Sequence, residues 1–479
     1  MTTIEQILEN EGPLMSSILS EKLSEIEQIP LNTASQKVSR SRNIKKIKGF
    51  FVSNQSLCFL EKQYENEQLY SILSKSLYEY GRKYWYCLNA LKIHGGIINS
   101  KYLECYTNYP IEPLKRHIPF REVMQKFVKE GILVFNGDEY KYAPKFCPMD
   151  TTSLTYRTIE IIKDDILSHF HSMMKNTGLV SFNSGKLFAE HGKFRWCFKG
   201  VSYIKGLINN GQPGFILADI LFGREIYKED VQFFIEKLNH IQSFQNSSKI
   251  IPFLIVDNLH PEALTELKNN GIALGLVGEL FGEKYAKALN ELVSILNNAG
   301  ANLKSEPNKY LELIEELKTF NKTLIFNIRG ALFEYFVGHI HSKKSQSIDL
   351  GREIFENNGK HEIDVFAIYN DKVIFIECKA TNSKIDESKV NKWIDSKIPA
   401  LRTWLLKQET LKHLDIEFEY WATGGFTDDA KARLDRYKAQ ANKFKVSYYE
   451  PDTMRDLTIK MKNKKLKEVL DNYFLKTKV

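Results

Sequence analysis

HEIDVFAIYNDKVIFIECKAT, residues His361–Thr381, is the stretch whose reading decides the fold. Two apolar runs rich in β-branched and aromatic residues, Ile363–Tyr369 and Val373–Ala380, flank Asn370-Asp371. That pattern predicts two strands joined by a tight turn. Asn-Asp is a workable two-residue turn, though weaker than Asn-Gly. With those two residues as the loop, Tyr369 faces Lys372, and counting backwards sets Asp364 opposite Glu377 and Glu362 opposite Lys379. Directly opposed residues share a face with Cβ atoms about 4.5–5.5 Å apart, so two carboxylates there repel. Strand alternation puts Glu377 and Lys379 on that face as well. Three polar groups converge in an otherwise apolar hairpin.

A divalent cation between Asp364 and Glu377 would remove the repulsion, and hard oxygen ligands suit Mg²⁺. Lys379 beside it could orient an attacking water or help to deprotonate it. The competing structural reading is a chance Asp…Glu-x-Lys pattern in a chain with 26% charged residues, with Glu362 and Lys379 paired across a wet sheet face. Val373–Ile376, running straight into Glu377, reads as a buried strand and favours the metal site.

Asp364…Glu377-Cys378-Lys379 resembles the active-site motif of the PD-(D/E)xK phosphodiesterase superfamily, in its Mrr-like restriction endonuclease branch, over about Lys318–Leu457. The resemblance implies a mixed β-sheet with flanking helices. It also implies Mg²⁺, with Mn²⁺ able to substitute, bound by Asp364, Glu377 and the backbone carbonyl of Cys378, with Lys379 as the catalytic lysine. Many members carry a further Glu on the helix before the hairpin, and Glu334 in GALFEYFVGHI matches that place. Ile363 stands where the motif has Pro, a departure that the superfamily tolerates.

A length of 479 residues allows two to four domains. Hydrophobic content of 43% and 12% aromatics mark a globular chain. No apolar run is long enough to span a membrane, and Met1–Ser20 lacks a basic-then-apolar signal pattern, so a cytoplasmic protein is expected. The 6 cysteines (Cys58, Cys87, Cys105, Cys147, Cys197, Cys378) are scattered, without zinc spacing or a disulfide framework. Net charge is +8, so its distribution says more than its total.

Residues 1–62 read as a winged helix-turn-helix. Ile4–Glu11 and Leu14–Ile26 are expected helices, and LNTASQKVSRSR opens a third after Pro30, with Leu31, Ala34 and Val38 inward. Asn32, Thr33, Gln36, Lys37 and Arg40 then face outward, and Lys45–Leu60 forms a wing turning near Asn54-Gln55. From Lys37 to Lys48 every charged residue is basic (Lys37, Arg40, Arg42, Lys45, Lys46, Lys48). Such a helix and wing suit phosphate neutralisation and base reading, although a solvated basic face or a protein-binding module has the same pattern. Tyr64–Ser76 is an expected linking helix. Residues 63–150 resemble a second winged helix, with helices Tyr80–Ile93 and Pro119–Lys129 and a hairpin Ile132–Tyr142.

The middle of the chain parallels its end. Gly185–Ala189 matches Gly330–Glu334; Ile216–Phe222 matches Phe375–Thr381, with Ala218 at the place of Glu377 and Ile220 at that of Lys379. Val231, Phe234 and Ile235 follow in the register of Val390, Trp393 and Ile394, and Leu259–Ala263 matches Phe426–Ala430. The competing reading is two unrelated α/β domains with a generic strand–helix–strand pattern. A duplicated scaffold is preferred, with Ala189, Ala218 and Ile220 in place of the chemistry.

After an expected linker, Gly300–Pro307, come a strand-like TLIFNI, a helix over Lys389–Leu405 whose Lys392 could reach phosphate, and a basic C-terminal segment read as a solvated amphipathic helix. Trp393 and Trp404 are expected in the core, and His361 on the surface. No P-loop, dinucleotide fingerprint or nucleophile elbow occurs, so no NTP site is expected.

The expected fold is multidomain α+β and α/β: winged helices at 1–62 and 63–150, then two tandem restriction-endonuclease-like α/β domains, the first degenerate (151–300) and the second catalytic (301–479). The expected activity is Mg²⁺-dependent DNA endonuclease, acting on duplex as a homodimer, with restriction or phage defence as the role the resemblance implies. The alternatives are a nuclease for RNA or single-stranded DNA and a non-catalytic DNA-binding regulator.

Overall fold

The computed structural model describes residues 3–63, 67–115, 117–143, 152–244, 247–356 and 359–475. Cys147 and the expected boundary at 150/151 lie outside them. The chain divides into two compact units, Met1–Thr151 with Ile166–Leu280, and Thr152–Asp165 with Phe281–Val479.

The first unit begins with helices Thr3–Glu11, Ser16–Glu27 and Leu31–Arg40. With them is a three-stranded sheet of β1 (Leu14–Met15), β2 (Lys45–Lys48) and β3 (Ser56–Phe59), ordered β1-β3-β2. Ile7, Leu8, Leu19, Leu23, Ala34, Val38 and Ile44 share one core. Two expectations fail here. Leu14 does not start a helix: Gly12 turns the chain at φ 84° and Pro13 follows, so Leu14–Met15 are extended against β3. Leu31, expected inward, is exposed (50%), because it opens its helix directly after Pro30 and leaves inward packing to Ala34 and Val38.

A second three-stranded sheet comes next in the chain, of β4 (Ile97–Asn99), β5 (Leu133–Asn136) and β6 (Glu139–Tyr142), ordered β4-β6-β5. Its hairpin turns at Gly137 as the sequence predicts. Helices Arg82–Ile93 and Phe120–Lys129 accompany it, and the linking helix runs over Glu67–Tyr80.

The largest sheet of this unit contains β7 (Lys186–His191), β8 (Phe194–Ser202), β9 (Gly214–Ile226), β10 (Ile250–Leu259) and β11 (Ala273–Leu276). In the second unit, β12 (Ser347–Glu356), β13 (Gly359–Ile368), β14 (Lys372–Lys379), β15 (Asp415–Ala422) and β16 (Lys445–Tyr449) form the counterpart. Both sheets keep sequential strand order, and in both the first three strands are antiparallel and the last three parallel. Parallel neighbours need a crossover. Gln232–Gln242 and Pro261–Asn269 serve the first sheet; Glu387–Leu406 and Asp428–Gln440 serve the second. The expected correspondences on these elements hold: Val231, Phe234 and Ile235 are buried on one crossover as Val390, Trp393 and Ile394 are on the other.

One proposed match is wrong. Gly185–Ala189 enters strand β7, whereas Gly330–Glu334 lies in helix Arg329–Ser342, so Ala189 is not the counterpart of Glu334. A Gly-x-Leu-Phe run fits either period. The residues after it decide between them: a hairpin turn at Gly192 (φ 63°) in one case, the buried Tyr335–Val337 in the other.

TLIFNI is helical rather than extended, because the Asn321 side chain caps helix Lys322–Asn327 by accepting from Leu324 N–H at 2.9 Å. The expected linker is helix Ala299–Ser305, where a Cβ on Gly300 would lie 2.4 Å from the Ile348 carbonyl oxygen, a close approach that only glycine permits. Among the described residues no helix is long and apolar enough to cross a membrane.

Candidate active site

Strand β14 is central, with β13 antiparallel on one side and β15 parallel on the other. Val373, Phe375, Phe366, Phe418 and Trp393 fill one core around it, which fixes which way its alternate residues point. The hairpin register is the predicted one: Val365 pairs with Ile376 and Ile368 with Val373, and Tyr369 N–H donates to the Lys372 carbonyl at 2.8 Å. Beyond Val365 the Asp364 side chain takes over, its Oδ2 accepting the Cys378 N–H at 2.7 Å.

Asp364 and Glu377 are both buried (6% and 8% exposed) and face one another through two lysines. Lys379 Nζ lies 2.6 Å from Glu377 Oε1, 3.4 Å from Asp364 Oδ2 and 3.0 Å from the Cys378 carbonyl oxygen. Lys397 Nζ bonds Glu377 Oε2 and stands 3.8 Å from Asp364 Oδ1. Burial opposes the charge of both ammonium groups, but Asp364 and Glu377 outweigh it and hold both above the usual lysine range. Burial likewise pushes Asp364 up; Lys397, Lys379 and the Cys378 N–H outweigh that and hold it below the usual carboxylate range.

Glu334 completes the group from helix Arg329–Ser342. Its Oε2 is buried without a hydrogen-bond partner among the described residues. Burial, then Asp364 and Glu362, push its pKa well above the ordinary value. Glu362 does not pair with Lys379, the arrangement a wet sheet face would need. It accepts from Ser153 Oγ at 2.6 Å and Arg157 at 2.5 Å instead, because Lys379 is drawn to the buried carboxylates.

Glu377, Lys379 and Lys397 open onto a cavity of about 510 Å³, lined also by Lys360, His361, Glu362, Lys389, Lys392, Trp393, Ser396 and Tyr420. Lys392 is exposed at its rim, and Trp393 is core, as the sequence predicts. His361, expected on the surface, is half-buried in the cavity wall, its pKa lowered by burial and then by Lys397.

Sequence reasoning missed Lys397 and Tyr420. A signal for Lys397 existed: it stands seven residues after Val390, two helical turns on, where the stripe of Val390, Trp393, Ile394 and Leu401 is buried. The helix expected over Lys389–Leu405 is also not regular. Trp393–Lys397 form a π-helical turn between Glu387–Lys392 and Ile398–Leu406, and Lys397 is its last residue.

In the first unit, Asn32, Thr33, Gln36, Lys37 and Arg40 lie on the exposed face of their helix. Lys37 pairs with Glu27 (2.6 Å) and Lys45 with Glu61 (3.3 Å), and Lys46 caps the helix by donating to Ser39 and Ser41 carbonyls at 2.9 Å. Among the described residues, Arg40, Arg42 and Lys48 are exposed and carry no ion pair.

No family model matches the chain, and no curated protein matches it. Two solved structures are similar in part. The EndoMS–dsDNA2 complex aligns at 12% identity and TM-score 0.17, over 29% of this chain and 50% of that one. This chain thus spans about half the length of that one. Can2 from Sulfobacillus thermosulfidooxidans in complex with cyclic tetra-adenylate aligns at 15% identity and TM-score 0.21, over 49% of this chain and 79% of that one. Neither superposition is close enough to carry residue roles across.

Proposed function

We propose that the chain is a metal-dependent phosphodiesterase that cleaves DNA, with Asp364, Glu377, Lys379 and Glu334 as its active site and the N-terminal module as a winged-helix DNA reader. The observation that carries this reading is the convergence of two buried carboxylates and a lysine beneath a cavity ringed by Lys360, Lys389, Lys392 and Lys397. Anionic phosphate suits that rim; buried carboxylates beneath it suit a hard cation.

The donor set fits Mg²⁺ or Mn²⁺: Asp364 and Glu377 carboxylates, the Cys378 carbonyl, and nearby the Glu334 Oε2, which has no hydrogen-bond partner among the described residues. When bound, such a cation supplies Lewis-acid stabilisation of charge at phosphorus and an activated water. Lys379, held cationic, orients the attacking water and neutralises the developing negative charge. A protonated ammonium is no base, so the attacking water's proton passes to solvent in the open cavity, and the oxygen that leaves phosphorus as the P–O bond breaks takes a proton from water. Lys389 and Lys392 hold the flanking phosphates, and Tyr420 and Trp393 wall the cavity, with ring centroids 5.0 Å apart. The β7–β11 sheet, with Ala218 and Ile220 at the places of Glu377 and Lys379, is read as the degenerate copy.

One such site cuts one strand, so a double-strand break calls for two copies of the chain. Supercoiled plasmid, short single-stranded DNA and RNA, each with Mg²⁺ or EDTA, test the substrate class. Cutting of plasmid with Mg²⁺ alone is expected; preference for the single strand or RNA would reassign the substrate.

A further inference from the structure

We infer that Lys397 is a displaceable cation that holds the two carboxylates together before metal arrives, and that the metal must expel it to enter. This rests on the metal-dependent reading above. The oxygen inventory makes the case. Asp364 Oδ2 is already taken by the Cys378 N–H at 2.7 Å and Lys379 at 3.4 Å, and Glu377 Oε1 by Lys379 at 2.6 Å. The remaining pair, Asp364 Oδ1 and Glu377 Oε2, is the pair Lys397 occupies. A divalent cation held by these two carboxylates would be repelled by an ammonium between them and would compete with it for the same oxygens.

The lysine is also built to leave. Its hydrogen bonding among the described residues ends on Glu377, with no backbone carbonyl to hold it, and its side chain is 19% exposed to the cavity. The first sheet offers the contrasting case. There Lys237, on the matching crossover helix, donates to the Cys105 carbonyl (2.6 Å), the Arg195 carbonyl (2.8 Å) and Asp219 Oδ2 (2.9 Å), with 0% exposure of both side chains. An ammonium has three protons, and Lys237 spends all of them. That ammonium also sits on Asp219, the one carboxylate of the close group Cys105, Cys197 and Asp219, and so fills the place of a metal. One lysine is locked; the other has a cavity to move into.

Calorimetric titration of Mn²⁺ into the whole protein without nucleic acid tests this. Lys397→Met, or Lys397→Gln should Met impair folding, is expected to bind Mn²⁺ roughly tenfold tighter than wild type or more. Lys397→Arg should not, and Glu377→Ala should abolish binding. Unchanged or weaker binding by both neutral variants, with Glu377→Ala still abolishing it, overturns the displacement and leaves the metal site standing. No binding by wild type or either neutral variant overturns the metal-dependent reading itself. In wild type, the resonance of reductively methylated Lys397, assigned by its loss in Lys397→Arg, should move when Mg²⁺ is added; a fixed resonance also counts against displacement.

Discussion

Burial, then the carboxylates of Asp364 and Glu362, hold the Glu334 carboxyl well above its ordinary range. Its folded pKa lies above its unfolded value, so the stability it contributes is full below about pH 4.3 and is lost as pH rises toward the folded value. In EDTA, the melting temperature of wild type should therefore fall relative to Glu334→Gln as pH rises above about 4.3. Parallel melting curves would show that Glu334 is not held neutral. The clustering of Asp364, Glu377 and Lys379 was legible because strand alternation is simple: an apolar hairpin with a countable turn puts all three on one face. Lys397 was not read, since a single lysine on an apolar helical stripe looks like an irregularity until the buried carboxylates it serves are placed. A π-helical turn also leaves no mark in the sequence.

Elements were legible where one period dominated, and obscured where a local cap or close packing decided. Alternation fixed the β13–β14 hairpin, and the apolar stripes of the crossover helices matched between the two sheets. TLIFNI, rich in strand-forming residues, became a helix once Asn321 capped it, and Gly300 followed the demands of close packing on Ile348. The exposed helix Leu31–Arg40, strand β2 and the connection between them carry the DNA-reading proposal, and their cations without an ion pair among the described residues give it a number. Arg40→Ala, Arg42→Ala and Lys48→Ala together should weaken duplex binding and flatten its log–log salt slope by up to about 0.9 for each phosphate no longer neutralised. Fluorescence anisotropy across a salt series measures it. An unchanged slope would make this face a protein-binding or merely solvated one.

Across the whole molecule, the same five-strand order and senses appear twice, with different polar groups at the centre. In the first sheet the Asp219–Lys237 pair is sealed, and that is a structural role. Lys237→Met should cost about 3–5 kcal/mol in urea unfolding by stranding a buried carboxylate, whereas Asp219→Leu with Lys237→Met should recover most of it. A loss below about 1 kcal/mol for the single variant would mean the pair is dispensable. In the second sheet the corresponding region stays open to a lysine-lined cavity, which is where chemistry is proposed. The most direct test of that claim is Mg²⁺-dependent cleavage of supercoiled plasmid by wild type, Glu377→Ala and Lys379→Ala, with folding checked by thermal melting. Wild type should cut and EDTA should stop it, and each variant should lose at least about 100-fold in rate. Cutting that survives both substitutions would contradict the assignment of this site.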